Sequence, residues 1–139
     1  MNYLITYKSY RTAEELKEAA QLAISNRLYV NTWYLRKRFT AILEGDTKKQ
    51  YLDLAFEDGT PIGVCFARDV KKKNHIYSNY RFVTCFIRKR LRHKGIGSKL
   101  VSVHKDKNMM AGVGAKGSLN FWKSNEVTVK CYNSVLFYG

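Results

Sequence analysis

Apolar and polar positions along this chain change period several times, and each change marks an element. Residues 2–8 alternate between polar residues and aromatic or β-branched ones, which predicts a half-buried strand. Thr12 and Glu15 match a capping box, in which a hydroxyl and a carboxylate satisfy free amides at a helix start. Leu16, Ala20, Ala23 and Ile24 follow at helical spacing and predict a helix over 13–25. Asn31 is the expected N-cap of a second helix. Its apolar stripe would be Trp33, Leu35, Phe39, Ile42 and Leu43, with Gly45 ending it, so Trp33 is expected in the core.

Residues 50–57 alternate, Asp58-Gly59 gives a turn signal, and 62–68 run back, so a hairpin is expected here. Asp53 on its first strand reads as a surface charge. Residues 70–74 form a basic loop, with Lys71, Lys72 and Lys73 at a solvated tip. Residues 76–87, rich in Tyr, Phe, Val and Ile, predict a long strand. A glycine-containing loop follows, then a helix from about 97 to 107. A short strand over 109–113 and a short helix over 117–124 come next. Residues 127–138 are β-rich and predict two strands turning near Asn133. There is no internal repeat. The order describes a mixed α/β fold, and the length suits a single domain over 1–139.

Composition narrows the classes. Hydrophobic residues make up 45% of the 139, which excludes disorder by composition. No apolar run approaches the roughly 18 residues of a membrane span, and the N-terminus lacks the apolar stretch of a signal peptide. Cys65, Cys85 and Cys131 are far apart, odd in number and without zinc spacing. Their apolar surroundings predict buried free thiols, and hence a reducing cytoplasm. His75, His93 and His104 are equally scattered, so no metal site is expected. Lys and Arg total 25 against 11 Asp and Glu, a net charge of +14. Such a surface attracts polyanions and repels cations. It favours a nucleic acid, an acidic protein or a phosphorylated ligand over a polyamine.

The chemistry concentrates in the loop after residue 87. There an apolar strand ends, and Gly95 and Gly97 open a helix. Backbone amides at a helix start lack partners and carry partial positive charge. Glycine lets a ligand approach them closely. The result is a cradle for a pyrophosphate. It is neither a P-loop nor a dinucleotide fingerprint, because no Gly-Lys-Ser/Thr closes it and a third glycine is missing.

With Arg92 three residues before Gly95, the segment Arg92-His93-Lys94-Gly95-Ile96-Gly97-Ser98 resembles the Arg/Gln-x-x-Gly-x-Gly/Ala motif of the GNAT family of N-acetyltransferases. Leu100 is also typical. Ser118, Phe121 and Val127 fall on the small, aromatic and apolar positions of the family's fourth-helix pattern. The resemblance implies a mixed, mostly antiparallel sheet flanked by helices, with acetyl-CoA between splayed fourth and fifth strands. Arg92, His93, Lys94, Gly95, Ile96, Gly97 and Ser98 would hold the pyrophosphate. The pantetheine arm would pair with backbone near Phe86 and Ile87, and the Cys85 N–H would polarise the thioester carbonyl. The basic cluster Arg88, Lys89, Arg90, Arg92 and Lys94 would face the CoA phosphates.

The chain departs from the family pattern at three places. Arg81 stands near the position of the strand-four glutamate that serves as general base. Trp122 replaces the tyrosine that serves as general acid, and indole has no acidic proton to give at neutral pH. Ala115 replaces a frequent Asn. Tyr132 and Tyr138 are therefore the candidate acids, and Asp53 a candidate remote base. The implied activity is transfer of an acetyl group to an amine on a protein, a nucleotide or a small molecule in an anionic setting. The alternative is a degenerate CoA-binding protein, or a basic nucleic-acid-binding protein on the same fold.

Overall fold

A computed structural model of the chain describes residues 4–30, 32–70, 80–113, 118–131 and 136–138. In chain order the elements are β1 (Ile5–Tyr10), α1 (Ala13–Ser25), α2 (Trp33–Leu43), β2 (Gln50–Glu57), β3 (Thr60–Asp69) and β4 (Tyr80–Ile87). There follow α3 (Ile96–Ser102), β5 (Asn108–Val113), α4 (Ser118–Ser124), β6 (Thr128–Cys131) and β7 (Leu136–Tyr138).

Local chemistry accounts for several boundaries. Thr12 Oγ1 accepts from the Glu15 amide at 3.1 Å, and Glu15 Oε1 accepts from the Thr12 amide at 3.0 Å, which closes the expected capping box. These backbone donors hold the Glu15 carboxyl below its ordinary value. The turn between β2 and β3 needs two consecutive left-handed residues, and Asp58 (φ 49°) and Gly59 (φ 85°) supply them. β1 lies two to three residues later than expected, because Tyr10 is carried into the core under α1.

The sheet order is β1-β2-β3-β4-β5-β6-β7. Pairing is antiparallel from β1 to β4, parallel from β4 to β6, and antiparallel again between β6 and β7. Side chains alternate between two covered faces. Leu52, Leu54, Val64, Phe66 and Phe86 pack with Leu16, Ala20, Leu35, Phe39 and Ile42 of α1 and α2. Cys65, Ala67, Val83, Cys85 and Ile87 pack with Leu100 and Val101 of α3 and Trp122 of α4. Burial on both faces makes β3 a nearly continuous apolar run.

Four expectations change. Trp33 is 74% exposed, because it shares the outward side of α2 with Arg36, Lys37 and Thr40, while Leu35, Phe39 and Ile42 face the sheet. The N-cap of α2 is Thr32, and Asn31 lies outside the described residues. α3 ends at Ser102 rather than near Lys107, and the turn that follows drives His104 inward. The Lys71–Lys73 tip, His75, the first part of the expected 76–87 strand, Ala115 and the turn near Asn133 also lie outside the described residues.

The fourth change is Asp53, which is 2% exposed. Its Oδ1 accepts from Arg11 Nη2 at 3.0 Å and from the Ser9 hydroxyl, and its Oδ2 accepts from His104 Nε2 at 3.0 Å. The other ring nitrogen of His104, Nδ1, lies 3.1 Å from Arg81 Nη1. A guanidinium only donates, so Nδ1 accepts, the proton sits on Nε2, and the imidazole is neutral. Arg81 in turn donates from Nε to Asp69 Oδ1 at 2.9 Å and lies over the Tyr51 ring at 4.0 Å. A single polar knot thus ties β1, β2, β3, β4 and the turn before β5.

Burial alone would raise the Asp53 carboxyl, but the His104, Ser9 and Arg11 bonds outweigh it and hold the group below its ordinary value of 3.8. A depressed carboxyl contributes stability above its unfolded value and loses it as pH falls through the folded one. Asp53→Asn should therefore cost about 3–5 kcal/mol at neutral pH, as for one partner removed from a buried pair. It should also flatten the loss of stability below about pH 4. Urea denaturation of both proteins across that range checks both outcomes.

Candidate active site: a cleft between splayed strands

Among the described residues, β4 meets β5 over three residues only, Tyr80 to Phe82 against Asn108 to Met110. On its other edge β4 pairs with β3 from Arg81 through Ile87. The Val70 amide donates to the Tyr80 carbonyl, and the Arg88 amide donates to the Ile62 carbonyl, each at 3.0 Å. These two bonds set the parity of the antiparallel ladder. Even-numbered residues of β4 turn their amides and carbonyls toward β3, while Arg81, Val83, Cys85 and Ile87 turn theirs away. Beyond Val83, whose amide closes the last rung with Met110, the parallel ladder has ended, so the amides of Cys85 and Ile87 point into a gap.

The loop that follows borders this gap. Arg88 is extended, Lys89–Leu91 make one 3₁₀ turn, and Arg92 is extended again. His93 (φ 65°) and Gly95 (φ 81°) are left-handed before α3 begins at Ile96. Buried Leu91 anchors the turn in the core. Three arginines fasten the loop: Arg88 donates to the Asn26 carbonyl, Arg90 to Glu57, and Arg92 Nε to the Ile87 carbonyl at 2.8 Å. Arg90 holds the Glu57 carboxyl below its ordinary range. The basic cluster is therefore first a structural device.

Between loop and strands lies a cleft of about 580 Å³. It is lined by Cys85, Phe86 and Ile87 from β4, and by Arg92, His93, Gly95, Ile96, Gly97 and Ser98 from the loop and α3. Of the seven residues expected to hold the pyrophosphate, Lys94 stands outside this lining, as do Arg88, Lys89 and Arg90 of the basic cluster. Phe86 reaches the cleft by its side chain, since its backbone belongs to the β3 ladder, and the Arg92 guanidinium lies 5.8 Å from its ring. Thr32, Leu91, Phe121 and Trp122 complete the wall. Phe121 could be anticipated from its place in the fourth-helix pattern. Thr32 had no local signal, because only the packing of α2 brings it there.

The Cys85 thiol packs toward α3, since a Cβ built on Gly97 would stand 3.7 Å from its sulfur. Burial pushes this thiol up to about 12, so it is no thiolate nucleophile. Cys65, directly opposite on β3, is raised by burial as well. Both are free thiols. The candidate acid Tyr138 has its backbone on β7, and Tyr132 lies outside the described residues, as does the side chain of Cys131. Asp53 and Arg81 are sealed in the buried knot and do not line the cleft. No carboxylate lines it among the described residues.

The family model for the acetyltransferase (GNAT) family matches residues 12–136. The chain belongs to this family. No curated protein matches the sequence significantly. Among solved structures, the fold is similar to glucosamine-6-phosphate N-acetyltransferase from Arabidopsis thaliana, at TM-score 0.61 and 14% identity, covering 96% of this chain and 97% of that one. It is also similar to a putative acetyltransferase from Salmonella typhimurium with its cofactor acetyl-CoA (TM-score 0.57, 14% identity, 86% and 77% covered). An aminoglycoside acetyltransferase from an uncultured soil metagenomic sample is a third likeness (TM-score 0.59, 14% identity, 88% and 87% covered).

The residues present fit the family's co-substrate, acetyl-CoA. The amides of Ile96, Gly97 and Ser98 open α3 and have no acceptor within the helix. A Cβ on Gly97 would stand 3.0 Å from the Phe121 ring, so a side chain there would require that ring to shift. A Cβ at Gly95 would meet nothing within 4 Å, so only its left-handed backbone resists substitution. Asp tolerates that conformation better than most residues. Gly95→Asp should therefore fold while placing a carboxylate in the cleft. We expect acetyl-CoA binding to be lost in calorimetry with the circular dichroism spectrum unchanged. Unaltered affinity in a folded variant would remove the pyrophosphate cradle.

Proposed function

We propose that residues 1–139 form one acetyltransferase domain, which transfers the acetyl group of acetyl-CoA to an amine held in an anionic setting. The observation that carries this reading is the row of β4 amides that turn into the gap beyond Val83. The Ile87 amide is available to a pantetheine arm. The Cys85 amide is available to the thioester oxygen. As the amine nitrogen bonds to the carbonyl carbon, negative charge grows on that oxygen. A preorganised donor there is worth about 3–4 kcal/mol in other enzymes. The carbon–sulfur bond then breaks and the CoA thiolate leaves. The proton lost by the nitrogen goes to water, since the described lining holds no carboxylate to take it. Free Cys65 and Cys85 suit a reducing, cytoplasmic setting.

One observation favours a second reading, a CoA-binding protein without turnover. Arg81, near the place of the family's glutamate, is bound into the buried knot, and Trp122 stands in place of the tyrosine. Thiol release from acetyl-CoA by the unaltered chain separates the two, and Trp122→Phe then tests the proton route. If water and proximity move the protons, the variant should keep turnover to within about a hundredfold, the usual minimum contribution of a general acid. A larger loss at intact acetyl-CoA affinity would give Trp122 an essential part.

The acceptor reading rests on charge. Similar folds act on an aminoglycoside in one case and on glucosamine-6-phosphate in another. The +14 charge of this chain disfavours the first kind and suits the second, a phosphate-bearing amine. The test is thiol release from acetyl-CoA across a panel of amines, followed by kcat/KM for the active one at saturating acetyl-CoA. Between low and physiological salt, where the Debye length falls to about 8 Å, kcat/KM should drop steeply. A flat profile would show that the basic surface does not recruit the acceptor.

A further inference from the structure

The outward side of α2 is the most unusual surface of the described residues. Trp33, Arg36, Lys37, Thr40, Ala41 and Glu44 fall at successive helical turns and border a shallow groove of about 390 Å³. Trp33 is 74% exposed, whereas Trp122, the only other tryptophan, is 5% exposed. Lys37 Nζ stands 5.9 Å from the Trp33 ring centre, and the Arg36 guanidinium stands 5.5 Å from that of Tyr29. Arg38 takes no part. It turns inward to Asp46 and Gln50 at 2.9 and 2.8 Å. The one carboxylate, Glu44, closes the far end of the groove.

The exposed indole stands beside Lys37 and next to Arg36 along one groove, so the surface offers a flat apolar face together with positive charge. Cations alone would serve an acidic peptide and would leave the indole without purpose. Together they match what a single-stranded nucleic acid presents, which is flat apolar bases joined by phosphates. A duplex hides its base faces and would use only the cations. From Trp33 to Glu44 the stripe is about 16 Å long at 1.5 Å per residue. That is room for roughly four to five stacked nucleotides at about 3.4 Å each. The position is equally telling. Thr32, one residue before Trp33, lines the large cleft. A strand laid along α2 therefore leads to the place where acetyl transfer would occur.

The geometry points to the outward side of α2 as a docking surface for single-stranded nucleic acid, with a base stacked on Trp33 and phosphates met by Arg36 and Lys37. This extends the anionic-acceptor reading to one class of partner. Its test needs no acetyl-CoA, so the two can fail separately.

The probe is a labelled oligouridylate of about eight nucleotides, titrated with the full chain and followed by anisotropy and by intrinsic tryptophan fluorescence. We expect single-strand binding at low salt with quenching of the exposed tryptophan. Trp33→Ala should weaken binding about tenfold or more, the usual cost of one lost base-stacking platform. The double variant Arg36→Ala, Lys37→Ala should lower the slope of log affinity against log salt by about 1.4, at about 0.7 per single-strand phosphate contact. All three residues are exposed, so the variants should keep the parent's melting temperature. The proposal is overturned by absence of binding at low salt, by equal affinity for a duplex of the same length, or by unchanged affinity in Trp33→Ala. Displacement by polyglutamate with the same dependence on Trp33 would overturn it too, in favour of an acidic protein.

Discussion

Among the described residues, strand β4 is hydrogen-bonded along one edge up to its end at Ile87 and pairs along the other over Tyr80–Phe82 alone. An unpaired strand edge is normally a liability, because its amides and carbonyls will take any extended chain that offers partners. Here the exposed stretch is short and runs from Thr84 to Ile87. It is walled by α3 and α4, so only a narrow, extended ligand can reach it. The arm of acetyl-CoA has that shape. The cleft volume, the reach of the loop and the direction of the Cys85 amide all follow from where the parallel ladder stops.

A buried knot lies at the paired end of this ladder. Arg81 lies in the short paired zone, opposite Met109 on β5 and Asp69 on β3. His104 sits just before β5 and bonds to both Arg81 and Asp53. The closed end of the gap is thereby held by the bonds of Arg81 to Asp69 and His104 and of His104 to Asp53. Buried charges of this kind are costly unless each is satisfied, and they tolerate few alternative arrangements. Arg81, which the resemblance sets near the family's general base, is bound here to its neighbours on β3 and before β5.

The arginines of the cleft loop follow the same logic. Arg88, Arg90 and Arg92 each fasten the loop to a different neighbour, namely the end of α1, the end of β2 and the end of β4. A loop held at three points presents its amides without losing entropy when a phosphate arrives. Arg92 still borders the cleft and keeps further N–H groups for an anion.

The sequence by itself determined whatever depends on neighbours a few residues apart. The capping box of Thr12 and Glu15 and the Asp58-Gly59 turn are local matters of backbone and hydrogen bonding. Each is legible in the order of the residues alone, as is most of the cleft loop. Only the tertiary structure decided the depth of Asp53, the exposure of Trp33, the engagement of Arg81 and the inclusion of Thr32 in the cleft wall. Periodicity shows which residues share a face, but not which partner that face meets. Asp53 looks like a surface charge until His104, fifty-one positions away, arrives to pair with it. Trp33 looks like core until the sheet takes Leu35, Phe39 and Ile42 instead. Burial and ion pairing belong to contacts between distant segments, and those contacts exist only once the chain has closed on itself.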